Sequence, residues 1–199
     1  MMTKKYWLLT VLLVISFYQI YAQRFNGGLI GGMSTSEISG DRFNGPSKVG
    51  LFVGGFGNFY ISEKSSIQME LEYIQKGSRK VPDSTDITFY LLRINYIEIP
   101  LLYKYDLTKK ITFEAGPSIG YLISKYEEVN SEVLTNPFKN WDCQLAVGGY
   151  YNLSRHLKFN VRYSNTLFFP VRDGASGTTY WLRKGQYNEV LSFLLHYQF

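Results

Sequence analysis

Apolar and polar residues alternate with a period of two along most of this chain, and a helical period of 3.6 is hardly visible. The clearest stretch is Ile67-Gln68-Met69-Glu70-Leu71-Glu72-Tyr73. On a strand, Ile67, Met69, Leu71 and Tyr73 share one face, and Gln68, Glu70 and Glu72 share the other. The alternation recurs in Ile97 to Tyr105, Ile111 to Tyr121, Trp141 to Tyr151, Leu157 to Ser164 and Leu191 to Phe199. Two glycine-rich stretches, Phe25 to Ser34 and Lys48 to Ile61, read as two more strands whose facing is ambiguous. The sum is about eight strands.

Amphipathic strands also build soluble sandwiches, so the connections carry the distinction. Ser62 to Ser65, Asp106 to Lys110 and Asn152 to His156 are short and polar, whereas Ser36 to Ser47, Arg79 to Ile87, Ser124 to Asn140 and Leu167 to Gly185 are long and irregular. Strict short–long alternation is the mark of a membrane barrel with periplasmic turns and external loops. The expected fold is therefore all-β: a transmembrane up-and-down antiparallel β-barrel, with both ends of the mature chain on the periplasmic side. Pro100 falls inside one strand. It lacks the N–H that a closed barrel needs at every position, so a bulge or distortion is expected there.

The first residues are patterned differently. Lys4 and Lys5 precede an almost uninterrupted apolar run from Trp7 to Phe17, and Ala22 offers a small residue for cleavage. Residues 1–22 thus read as a signal peptide and residues 23–199 as the barrel domain; Ile20 is large for its place, which leaves a later cut open. The apolar run is short for a membrane-spanning helix.

Composition agrees with this picture. Aromatic residues make up 17%, supplied by 17 Tyr and 14 Phe, types that favour strands and membrane interfaces. Tyr73, Tyr103, Tyr105, Tyr121, Tyr151, Tyr163 and Tyr197, with Trp141, are expected as interface girdles. The net charge of +5 falls to +3 once Lys4 and Lys5 are removed, too small and dispersed for a nucleic-acid partner. The single cysteine, Cys143, excludes an intramolecular disulfide and is expected to face lipid.

Tyr96-Ile-Glu-Ile-Pro-Leu-Leu-Tyr-Lys-Tyr105 resembles a hallmark of the PorT-like family of outer-membrane β-barrels. Ala115 to Leu122 resembles that family's next strand, and Arg162-Tyr163-Ser164, followed by Leu167, resembles its penultimate one. A last strand ending in Phe199 is similar to the signal read by the outer-membrane assembly machinery. The resemblance implies an outer-membrane barrel and, from the founding members, a tie to protein secretion and gliding. It carries no role over to individual residues.

Candidate chemistry is sparse. Glu70, Glu72, Glu98, Lys104, Glu114, Lys158 and Arg162 lie opposite the apolar stripes. An eight-stranded barrel is just filled by its side chains, so these charges are expected to form an internal salt-bridge and hydrogen-bond network. His156 falls in an expected periplasmic turn and His196 near the periplasmic end of the last strand; neither has metal-ligand spacing around it. The expected external loops contain no His, which argues against a catalytic site at the rim. The paired glycines at Gly27, Gly31 and Gly54 lack the setting of a phosphate loop and are read as relief for bends or Tyr rings. No catalytic, metal or cofactor residue is assigned.

Binding capacity is expected in the last long loop, through Phe168, Phe169, Arg172, Tyr180, Trp181 and Arg183, either toward a partner or folded over the barrel mouth. The functional expectation is a non-catalytic structural or accessory component of the bacterial outer membrane, linked to secretion or surface assembly. Its partners would be membrane lipid, lipopolysaccharide and the assembly machinery, with a further protein partner unidentified. A surface binding or adhesion module and a soluble exported ligand-binding barrel are the alternatives.

Overall fold

The computed structural model of the protein describes residues 25–40, 48–82, 84, 86–173, 179–180 and 183–199. The expected signal peptide, residues 1–22, lies outside them. Eight long strands follow one another: β1 (Phe25–Ser39), β2 (Lys48–Tyr60), β3 (Ser65–Lys80), β4 (Tyr90–Asp106), β5 (Ile111–Val129), β6 (Trp141–Asn152), β7 (Leu157–Thr166) and β8 (Tyr187–Gln198). Each pairs antiparallel with its sequence neighbours, and β1 pairs with β8, so the sheet closes without an edge. Closure satisfies every ladder from within the chain, which is the condition for placing strands in lipid.

The register fixes the barrel's slant. From Phe25 the paired residues run Phe59, Ile67, Tyr103, Ala115, Val147, Tyr163 and Leu191, and the circuit returns to β1 at Thr35, ten residues along. With eight strands this stagger corresponds to a tilt of roughly 40°.

Parity runs unbroken through almost the whole ring. Even-numbered side chains point inward, from Ile30 and Phe52 to Glu70, Leu102, Glu114, Arg162 and Leu194, all buried. Odd-numbered ones point outward and are apolar: Leu29, Met33, Leu51, Met69, Leu71, Ile99, Leu101, Phe113, Ile119, Leu145, Phe193 and Leu195 are all exposed. So wide an apolar surface is untenable in water and natural in lipid. Aromatic residues mark its borders, with Tyr103, Tyr105, Tyr151, Tyr197 and Phe199 toward one end and Tyr121 and Trp141 toward the other. Cys143 lies on this outer face, half-buried.

The three short turns share one device. Ser62, Thr108 and Ser154 occupy the same place in each, and their hydroxyl oxygens accept hydrogen bonds from the backbone N–H groups two and three residues on, at 3.0–3.3 Å. His156 lies in the third of these turns, and the described chain ends at the same side, where the N–H of Phe199 donates to the Gly27 carbonyl at 3.0 Å.

Several expectations change. No register shift occurs at Pro100. The β3–β4 ladder instead lapses between the pairs Met69–Leu101 and Glu72–Glu98 and resumes in the same register, a gap suited to a missing N–H. The bulge lies further up, where Asn95 pairs with Ser124 but Tyr96 pairs with Leu122, leaving Ile123 as an extra residue in β5. Beyond it the parity of β5 inverts, so Glu127 points inward. That inversion erased the alternation after Ile123, and the segment expected to be irregular from Ser124 is strand as far as Val129. Asn130 and Ser131, with φ of 47° and 70°, then turn it into a short returning strand, Glu132–Leu134. The front glycines accommodate Phe rather than Tyr. A Cβ at Gly28 would lie 2.6 Å from the Phe56 ring, and one at Gly57 would lie 2.8 Å from the Phe25 ring.

Candidate functional site: the charged lumen and the loop end

Charged and apolar groups divide the lumen. Ile30, Ile38, Phe52, Ile74, Leu92, Ile94, Tyr96, Val190 and Leu194 form a buried apolar cluster on the β1–β4 and β8 side. The space beside it is filled by ions. Arg162, from β7, reaches across to β3, where Nη1 and Nη2 donate to the two carboxylate oxygens of Glu70 at 2.7 and 2.8 Å. Its Nε and Nη2 donate to Glu114 on β5 at 2.8 and 3.2 Å, and Glu72 stands 3.4 Å from Nη1. Asn160 adds a second donor to Glu114 at 2.8 Å. One guanidinium thus engages three carboxylates, a use of its five-donor fork that lysine could not reproduce.

Lys104 extends this group. Its ammonium donates to Gln68 at 2.8 Å, stands 3.8 Å from the centre of the Tyr150 ring, and is linked through Gln68 to Glu70. A second ionic group sits between β3, β4 and β6. Lys76 lies 2.5 Å from Glu98 and 3.6 Å from Asp142, while Gln144 donates to both carboxylates at 2.8 and 2.9 Å. Thr166 and Asn188 complete the shell of Asp142 at 2.8 and 2.7 Å. Buried ions at these distances must be paired, since an unpaired one would cost several kcal/mol, of the order of 3–5.

The structure brings Glu70, Glu72, Glu114, Arg162 and Lys104 into one network and places Glu98 in the other. Lys158 is half-buried on the same inward face. Sequence reasoning missed Lys76 and Asn188, and it left Gln68, Asp142 and Gln144, which lie on the polar sides of alternating stretches, out of the network; all five are on even positions and buried. Extending the parity of β3 from Glu72 through Ile74 to Lys76 would have found the first. His196 also points inward, packed edge-on to Tyr150 at 4.9 Å and near Phe56 at 5.5 Å. Neither ring nitrogen has a hydrogen-bond partner.

At the end with the long connections, Arg172 does not project as a free binding group. It donates to both oxygens of Glu127 at 3.0 and 2.9 Å and lies 4.7 Å from the Phe138 ring, pinning the last loop to the barrel mouth. Tyr90 donates to the same carboxylate at 3.1 Å. Phe168 and Phe169, by contrast, are 71% and 65% exposed. Tyr180 and Arg183 pair through their backbones in a small hairpin, and Trp181 lies outside the described residues. Between β3 and β4 the Lys80 ammonium and the groups of Thr88 hold the Asp86 carboxyl well below its ordinary range.

Residues 17–168 match the family described as the outer membrane protein beta-barrel domain. This chain belongs to that family. As an outer membrane β-barrel it resides in the bacterial outer membrane, with lipid around its apolar face, and the expectation of a soluble exported barrel is set aside. The short turns then face the periplasm and the long loops the exterior. Among solved structures it resembles Ail, the attachment invasion locus protein of Yersinia pestis, with a TM-score of 0.54 and 8% identity over 87% of this chain and 98% of Ail. A second Ail structure, in complex with the heparin analogue sucrose octasulfate, has a TM-score of 0.51 and 10% identity over 88% and 99% of the two chains. Neisserial surface protein A has a TM-score of 0.53 and 12% identity over 88% and 97%. These likenesses establish a shared fold. No curated protein matches the chain.

Proposed function

We propose that this outer membrane β-barrel is a non-catalytic structural or accessory component of the envelope that works through its surfaces. The observation that supports this most is Arg162, held across the lumen between Glu70 and Glu114. With the apolar cluster beside it, this network occupies the interior where a pore would have to run. The finer reading places the protein near the PorT-like barrels, in secretion or surface assembly, on the strength of Tyr96 to Tyr105 and Ala115 to Leu122. Phe199 serves in it as the recognition residue for the assembly machinery. A surface binding or adhesion role is the second reading. It is favoured by the exposed Phe168 and Phe169 and by the likeness to Ail, the attachment invasion locus protein.

Two measurements test these readings. In planar bilayers the protein should give no stepwise conductance; a reproducible open channel would refute the filled-scaffold reading. Cross-linking in intact envelopes, with and without residues 167–185, separates the two roles. A partner retained after deletion supports the accessory role, and a partner lost with the loop supports surface binding.

A further inference from the structure

A cavity of about 460 Å³ lies at the external mouth of the barrel, a size that takes a small ligand. Its walls include Pro137, Phe138 and Lys139 of the β5–β6 connection, Arg172 and Asp173 of the last loop, and Gln186 just before β8. We propose that this cavity binds an uncharged sugar residue of a surface glycan. The proposal gives the surface-binding reading a ligand class and rests on that reading.

One side chain marks the cavity as a place for a polar ligand. Gln186 is only 6% exposed, and its Oε1 has no hydrogen-bond partner. A buried amide oxygen left so is costly. The amide lines the cavity, and a half-turn about its terminal bond exchanges oxygen and nitrogen, so either can meet a ligand hydroxyl. The neighbouring groups are of both kinds. Arg172 bonds to Glu127 through Nη1 alone, so that carboxylate leaves Nε and Nη2 of the fork unspent. Lys139 and Asp173 meet at 3.0 Å with side chains 45% and 86% exposed. Donors and acceptors thus stand side by side, which suits hydroxyl groups that donate and accept at once. Pro137 and Phe138 supply an apolar surface for the C–H face of a sugar ring.

Charge and backbone decide the class of ligand. Both cations of the wall are matched, Arg172 by Glu127 and Lys139 by Asp173, and Lys125 nearby donates to the Asn136 carbonyl at 2.6 Å. An anion would have to displace a carboxylate. The backbone of the wall is spent as well. The N–H of Lys139 donates to the Val171 carbonyl at 2.8 Å, that of Val171 to Gln186 at 2.8 Å, and that of Gln186 to Arg172 at 2.9 Å. A peptide therefore finds these groups already paired and no strand edge to extend. A neutral ring rich in hydroxyls uses what remains.

The test is saturation-transfer NMR of the full chain, in a detergent without sugar groups, with the methyl glycosides of glucose, galactose, mannose and N-acetylglucosamine. Methyl glucuronide and a blocked alanine peptide serve as the charged and the peptide comparators. At least one neutral glycoside should receive saturation. D173A and Q186M should each weaken its affinity about five- to tenfold, the worth of one hydrogen bond. Q186M should also keep or exceed the wild-type midpoint in urea, because it removes an unpaired buried oxygen. Heat-modifiable gel migration shows that both variants are folded. No transfer to any neutral glycoside, undiminished affinity in both variants, or a lowered midpoint in Q186M would overturn the proposal. Stronger transfer to the glucuronide or to the peptide would overturn it in favour of that class. Should the sugars fail while a cross-linked partner is still lost with residues 167–185, the surface-binding reading stands and this ligand class falls.

Discussion

Arg162 and Glu70 meet across the full width of the barrel, the guanidinium of β7 held by two hydrogen bonds of 2.7 and 2.8 Å to the carboxylate of β3. These strands lie four apart in an eight-membered ring, so the pair is a strut between opposite walls. R162M would leave Glu70, Glu72 and Glu114 without their cation. The variant should lose about 3–5 kcal/mol of unfolding free energy in urea titrations in lipid or detergent. An unchanged midpoint would show that the strut does not hold the barrel together.

Lys76 and Glu98 should respond unequally to neutralisation. K76M strands two carboxylates, Glu98 and Asp142, whereas E98Q leaves Lys76 beside Asp142 and Gln144 in place. K76M should therefore be the more destabilising by about 1–3 kcal/mol. Equal losses in the same urea titration would contradict this geometry.

Gly77 is fixed by backbone shape rather than by side-chain space alone. Its φ is 141°, and a Cβ there would lie 1.9 Å from the Leu92 carbonyl oxygen. G77V should fail to reach the compact, heat-modifiable form, whereas G31V, where an added Cβ meets nothing within 4 Å, should fold normally.

Arg172 ties the last external loop to Glu127 from a partly exposed position, with side-chain exposures of 19% and 5%. R172A should change barrel stability by no more than about 1 kcal/mol. Protease cleavage within residues 167–185 should rise several-fold, because local opening no longer breaks that ion pair. Cleavage at the wild-type rate would show that the loop is held by something else.

The sequence made the fold readable wherever one face of a strand was consistently apolar. Ile67 to Tyr73 and Ile97 to Tyr105 alternate cleanly because lipid takes one side and ions or small residues take the other. The pattern failed where the lumen is itself apolar. Tyr90, Leu92, Ile94 and Tyr96 all point inward, so the first half of β4 offers no contrast and its start went unseen. The same rule explains the site. Glu70, Glu114 and Arg162 were visible as charges on clean strands; Lys76 lies beyond the alternation read from Ile67 to Tyr73, and Asp142, though inside the alternating stretch Trp141 to Tyr151, was not counted among the inward charges. Which carboxylate meets which cation depends on the barrel's stagger, and only closure of the ring supplies that.

Ile123 sets the facing of every residue above it in β5. Were Ile123 instead to pair with Asn95, continuing the register of the strand below, the top of β5 would turn inside out, swinging Tyr126 and Glu128 toward the lumen and Glu127 toward the surroundings. Arg172 would lose its anchor and Tyr90 its acceptor, although no loop residue had been touched. The external architecture of this protein thus depends on a one-residue insertion in its wall, and loop grafts onto the barrel would inherit their docking point from it.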